Sequence, residues 1–153
     1  MPTLDDHIRQ WQHNRRCLCT IAPDFSDWQI TVAFYTALHA VDTLLSFDKV
    51  TVTNHEGRNR TLAGTNRYEK VNESYQPLYN LSRVVRYLAQ PQKWVPPHHI
   101  QRQVVERYVY PIERSVQKLI GRDLTLPPIR ILTSGVGGDP IPVQPLPKEA
   151  PQL

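Results

Sequence analysis

The chain has 153 residues, of which 40% are hydrophobic and 21% charged. This length and composition are typical of one globular domain with a real core. The first residues are polar and acidic, which argues against a secretory signal, and no stretch approaches the length of a membrane span. We therefore expect a cytoplasmic protein with no membrane partner.

The basic charge is concentrated in one part of the chain. The formal net charge is +4. Between His55 and Lys93 there are seven lysines or arginines against three acids, an excess equal to that of the whole chain. Such a stretch suits a phosphate-bearing partner such as RNA or a nucleotide. A solvated helix face explains the same pattern.

Apolar residues recur three and four positions apart along most of the chain, which predicts helices. The predicted helical stretches are 4–20, 27–48, a helix beginning at His55 with Asn54 as its cap, 67–88 and 97–120. Pro77 is expected to divide the 67–88 stretch into two pieces, and Pro111 to kink the last helix. Gly64 and Gly121 are predicted breaks.

The composition changes after Arg122. The last part of the chain holds seven of the fourteen prolines. We predict a helical domain over residues 1–122 and an extended, proline-rich, disordered tail over 123–153, with 129–133 lying along the body as a short extended piece. Residues 142–145 match the PxxP pattern of polyproline ligands.

Cys17 and Cys19 are too close in sequence for a mutual disulfide on a helix, so they are predicted to be reduced thiols. His13 precedes Cys17 by four residues, so the two side chains could supply two ligands to a metal ion. A closed zinc site needs four ligands. The sequence therefore predicts no metal and no cofactor.

A polar line runs along the second predicted helix. Tyr35, His39 and Asp42 lie at positions i, i+4 and i+7 and project on the same side. Such a row can bind a polar ligand, and a histidine can exchange a proton near neutral pH. Alternatively, His39 bonds to Asp42 or Tyr35 at the margin of the core.

Two groups of arginines are candidate phosphate ligands. Arg58 and Arg60 follow His55 at a predicted helix start, where the helix end adds partial positive charge. Arg83 and Arg86 share a helix face, and Tyr79 can stack on Arg83 or on a base.

The segments FYTALHAVDTLL, NHEGRNRTL and YQPLYNLSRVVRY together resemble the HEPN family, with a match over about residues 5–120. The resemblance implies an up-and-down bundle of four to five helices that forms a homodimer. Catalytic HEPN proteins are metal-independent ribonucleases of toxin and defence systems. Their motif is an arginine, a polar residue and a histidine four to six positions after the arginine.

The ribonuclease motif is not present here in its usual form. Arg58 is followed by Asn59, but Ala63, Gly64 and Thr65 stand where the histidine is expected. If the protein is a nuclease, His39 or His55 would be the acid–base group and Arg58 would stabilise charge on the phosphate. The alternative is a non-catalytic helical interaction module, such as a partner subunit in a toxin–antitoxin or defence system.

Overall fold

The computed structural model describes residues 2–87 and 95–133, which form an all-α bundle, as predicted. Within these residues there is no β-strand. The five α-helices are α1 (Leu4–Leu18), α2 (Ser26–Phe47), α3 (His55–Gly64), α4 (Glu69–Tyr87) and α5 (Tyr110–Ile120). Short 3₁₀ turns precede α2, α4 and the last helical region, at Pro23–Phe25, Asn66–Tyr68 and Pro97–His99.

Helix α2 is the centre of the bundle and packs against α1, α4 and α5. Its inward residues include Ile30, Phe34 and Val41, each almost fully buried. By length and composition the segment Pro23–Phe47 is apolar enough to cross a membrane, so the sequence-based statement that no stretch approaches a span was wrong. The bundle itself accounts for this apolar character, because 72% of the apolar window is buried inside the fold.

Helix α4 is continuous from Glu69 to Tyr87, with Pro77 inside it. The prediction of two pieces was therefore wrong. Proline removes one backbone donor, which would bond the carbonyl four residues earlier, at Glu73. Both Pro77 and Glu73 are exposed, so water can solvate this carbonyl. The buried face of α4, which includes Val71, Tyr75, Leu78 and Val85, continues past the proline.

The last helical region changes its hydrogen bonding at Pro111. Residues Gln101–Val109 form a π-helical segment, and α5 begins at Tyr110 with Pro111 in its first turn. The sequence predicted one helix kinked at this proline. The wider π turns are a local solution to the missing donor and to the clash of the proline ring with the preceding turn.

The start of α3 and the end of α5 carry the predicted capping residues. Asn54 caps α3, with its side-chain oxygen 2.8 Å from the backbone nitrogen of Gly57. Thr3 and Asp6 form a capping box at the start of α1. Gly121 ends α5 in the left-handed region, at φ 65°, a conformation that glycine adopts without steric cost. Cys17 and Cys19 are free thiols, as predicted.

The packed body continues beyond Arg122. Residues 124–132, which we call the C-terminal strap, lie against α1, α2 and the last helical region. Ile129 and Ile131 belong to the core, in agreement with the predicted extended piece. Gln29 Nε2 donates to the carbonyl oxygen of Leu132 at 3.1 Å, and the backbone nitrogen of Ile131 donates to Gln101 Oε1 at 3.0 Å. The PxxP pattern lies outside the described residues.

A buried ion pair lies under the strap. Glu113 of α5 accepts a hydrogen bond from the indole nitrogen of Trp11 at 2.7 Å and pairs with Arg15 of α1. Both charged side chains are almost fully buried. Burial raises the pKa of Glu113, while the hydrogen bond and charge of Arg15 act in the opposite direction. The pair therefore fixes α1 against α5.

We expect Glu113→Gln to lower the free energy of unfolding by about 3–5 kcal/mol, because Arg15 would keep a buried charge without its partner. Urea denaturation at neutral pH measures this loss. Glu106→Gln is the matched control, since Glu106 is exposed in the preceding segment. Similar free energies of unfolding for both variants would show that the buried pair does not stabilise the fold.

Candidate functional site

A buried ion pair between α2 and α3 organises the candidate site. Arg58 binds Asp42 through two hydrogen bonds, Nε to Oδ1 at 2.7 Å and Nη2 to Oδ2 at 3.0 Å. Arg58 is 7% exposed and Asp42 is 8% exposed. The planar fork of an arginine matches a carboxylate in this way, which gives a strong and oriented contact. The pair joins two of the predicted site residues.

The pairing with Asp42 sets the charge of Arg58 and the number of its nitrogen atoms that can bind another group. Burial alone would lower the pKa of Arg58, but the hydrogen bonds and charge of Asp42 raise it above its usual value. Tyr75, fully buried beside it, has its pKa raised by burial and stays uncharged. Nε and Nη2 of Arg58 are committed to Asp42, so Nη1 is the nitrogen atom that remains without a carboxylate partner.

His55 lies at the outer end of the Arg58 side chain. Its Nδ1 is 3.5 Å from Arg58 Nη1, and its ring packs against Phe34 and Tyr79 with centroid distances of 5.8 and 5.6 Å. Burial lowers the pKa of His55, and the positive charges of Arg58 and Arg86 lower it further. A lowered pKa favours the neutral imidazole at pH 7, which can accept from Arg58 Nη1 through Nδ1.

Around His55, helix α4 presents alternating rings and guanidinium groups. Arg83 lies over the Tyr79 ring at 5.9 Å, and Arg86 lies over the rings of Phe34 and Tyr87 at 5.8 and 5.9 Å. Arg83, Arg86 and Tyr87 are exposed. Among the residues that the structure describes, no carboxylate lies within 4 Å of Arg83 or Arg86. We call His55, Tyr79, Arg83, Arg86 and Tyr87 the basic–aromatic face.

His39 belongs to a different environment. Its Nδ1 is 3.5 Å from Nδ1 of His7 in α1, and this contact replaces the predicted one with Asp42 or Tyr35. His7, His39 and Asp42 line a cavity of about 620 Å³ together with residues 49–53. Burial lowers the pKa of His39, and the charge of Asp42 opposes this effect. His7 was not among the sequence candidates, since no helical spacing connects it to a residue 32 positions away.

The remaining candidates are peripheral. Arg60 is exposed and pairs with Glu56 on its own helix at 2.7 Å, which offsets its charge. Tyr35 is 36% exposed and contacts Phe34 rather than His39. The structure thus links His55, Arg58 and Asp42 directly, places Arg83, Arg86 and Tyr79 beside them, and turns His39 toward His7.

No family model, no curated protein and no solved structure matches the chain. The function of the protein therefore has to be inferred from its own residues and their arrangement.

We expect Arg86→Gln to raise the pKa of His55, because one of the positive charges that disfavour the imidazolium ion is removed. NMR titration of the His55 ring protons measures this change. Arg114→Gln removes the same charge from an exposed position on α5 and should leave the His55 pKa in place. An unchanged value in Arg86→Gln would mean that Arg86 does not act on this imidazole.

Proposed function

We propose that this protein is a HEPN-like domain that binds RNA or a nucleotide through the basic–aromatic face. The observation that carries the proposal is the close packing of His55, Tyr79 and Tyr87 with two exposed arginines that have no acidic partner in the described part of the chain. Unpaired bases and phosphates are the ligands that such a surface suits.

The two kinds of side chain contribute differently. Exposed rings offer flat surfaces on which bases stack, and each stacked base contributes about 1–3 kcal/mol. Arginines neutralise backbone phosphates and release counterions, which gives affinity without sequence preference. Tyr87 is 69% exposed and already lies beside Arg86, so a base and its phosphate can be bound by neighbouring residues.

The buried pair supports this face from below. Asp42 holds Arg58, and Arg58 Nη1 reaches His55, so the imidazole is fixed at the edge of the face. Arg60 adds little to this face, because Glu56 offsets its charge. In this proposal Arg58 positions His55, and direct phosphate contacts come mainly from Arg83 and Arg86.

The resemblance also implies metal-independent RNA cleavage. On this face His55 is a group that can exchange a proton near neutral pH. It lies beside Arg58 Nη1, the donor that remains for charge on a phosphate. This arrangement differs from the family motif, in which the histidine follows the arginine, so cleavage is a separate part of the proposal with its own test.

For binding, we expect the double variant Arg83→Gln, Arg86→Gln to weaken the affinity for labelled single-stranded RNA by about tenfold or more, because charged hydrogen bonds to phosphates are lost. A plot of log K against log salt has a negative slope, and this slope should become less steep by about 0.7 for each lost phosphate contact. Fluorescence anisotropy at several salt concentrations measures both quantities.

The matched control is Arg114→Gln, Arg122→Gln, which removes the same charge from exposed positions on and after α5. Equal losses in the two double variants would mean that only net charge matters and would remove the basic–aromatic face from the proposal.

For cleavage, we expect RNA to be degraded by the wild type in the presence of EDTA and to remain intact with His55→Asn. His98→Asn is the control, because His98 is exposed within the 3₁₀ turn Pro97–His99. Intact RNA with a folded wild type that still binds would contradict the ribonuclease part and leave the binding part.

A second candidate function is a helical interaction module that forms a homodimer or joins a protein partner of toxin–antitoxin or defence type. The observation in its favour is a group of exposed rings at the start of α2. Phe25 and Trp28 are 56% and 58% exposed, and Tyr35 lies two turns beyond Trp28 on the same side. Failure to bind RNA would favour this function. A cytoplasmic location remains a prediction under both.

A further inference from the structure

Two histidines and a carboxylate from α1 and α2 converge at Asp42, the acidic member of the buried pair. One potential ligand atom each of His7, His39 and Asp42 lies within 4.8 Å of the others. The two histidine side chains are half-buried and Asp42 is buried. The three residues share the wall of the 620 Å³ cavity, whereas none of them belongs to the basic–aromatic face.

We propose that His7, His39 and Asp42 form a binding site for a divalent transition-metal ion such as Zn²⁺. Imidazole nitrogens and a carboxylate oxygen are ligands that late first-row metals prefer. Three protein ligands leave at least one coordination position open, and the cavity provides room for water or a small ligand there. The sequence predicted no metal, because only His13 and Cys17 were considered as ligands and His7 is remote in sequence from His39 and Asp42.

The spacing of the two nitrogens fits this use. Two imidazole nitrogens bound to one tetrahedral Zn²⁺, each at about 2.0–2.1 Å, are about 3.3 Å apart. The Nδ1 atoms of His7 and His39 are 3.5 Å apart. His39 and Asp42 are neighbours across one turn of α2, so the helix already places them on one side. The potential ligand atom of Asp42 lies within 4.8 Å of those of both histidines, so all three groups surround one small volume.

Asp42 is also oriented for this role. Arg58 binds both carboxylate oxygens, and each oxygen keeps a second lone pair. Metal-bound carboxylates are commonly held by such outer hydrogen bonds, which fix the direction of the ligand. Asp42 balances the charge of Arg58, so the ion pair presents no net positive charge to a metal ion.

A direct hydrogen bond between the two histidines is the competing explanation for their contact. At 3.5 Å this bond would be longer than a good hydrogen bond between nitrogen atoms. It would require one ring to donate from Nδ1 and the other to accept. A metal ion would accept the Nδ1 lone pairs of both rings. A measurement of metal binding therefore distinguishes the two explanations.

The test is a Zn²⁺ titration of the full chain after chelator treatment, followed by isothermal calorimetry and thermal unfolding. We expect one ion per chain and, at 100 times the dissociation constant, a rise in Tm of roughly 5–10 °C. Mg²⁺ should give no rise, because it prefers oxygen ligands. His7→Ala should weaken Zn²⁺ binding more than 100-fold, by analogy with the effect of losing even an outer partner.

His13→Ala is the matched control, since His13 is an exposed histidine on the same helix and precedes Cys17 by four residues. Loss of binding in this variant, or unchanged binding in His7→Ala, would overturn the proposal. Should His7→Ala fail to fold, His7→Gln and Co²⁺ titration of the wild type replace it. Paramagnetic broadening must then be strongest at the His7 and His39 ring resonances, and broadening centred on other histidines would also overturn the site.

Discussion

The buried pair between Asp42 and Arg58 is the contact on which the rest of the molecule depends. It joins the central helix to α3, whose apolar contribution to the core is small, with Leu62 as its fully buried hydrophobic residue. Replacing one partner alone would leave an uncompensated charge in the core, at a cost of about 3–5 kcal/mol. The pair also takes part in two polar environments, because Arg58 lies beside His55 and Asp42 lies near His7 and His39. Each environment shares one member of the pair.

The architecture could be predicted from hydrophobic periodicity, because each helix buries one face against the same core. Asn54 and Gly121 even located helix ends, since capping is a local interaction. The error at Pro77 and the unforeseen π turns have a different origin. Whether Pro77 breaks a helix depends on whether the freed carbonyl at Glu73 reaches water, and the π-helical segment before Pro111 leaves no signal in the spacing of apolar residues. Both are settled by tertiary packing, which a local pattern does not contain.

The candidate site was predictable only in part, for a similar reason. Arg83, Arg86 and Tyr79 lie on one helix, so their spacing placed them together. The partner of Arg58 is 16 residues away and that of His39 is 32 residues away, and neither distance leaves a periodic signal. An arginine near a helix start looks the same in sequence whether it binds phosphate or is buried against a carboxylate. The fold makes that choice.

The C-terminal strap is held largely through its own backbone. Side chains of the body donate to the carbonyl oxygens of five strap residues: Thr125, Pro127, Pro128, Ile129 and Leu132. Every residue type offers such an oxygen, prolines included. Apart from the buried Ile129 and Ile131, the strap should therefore tolerate many amino-acid exchanges. The selective constraint falls instead on the donors in the helices, such as Gln29 and Arg15. Replacing one of them would loosen a segment about one hundred residues further along the chain.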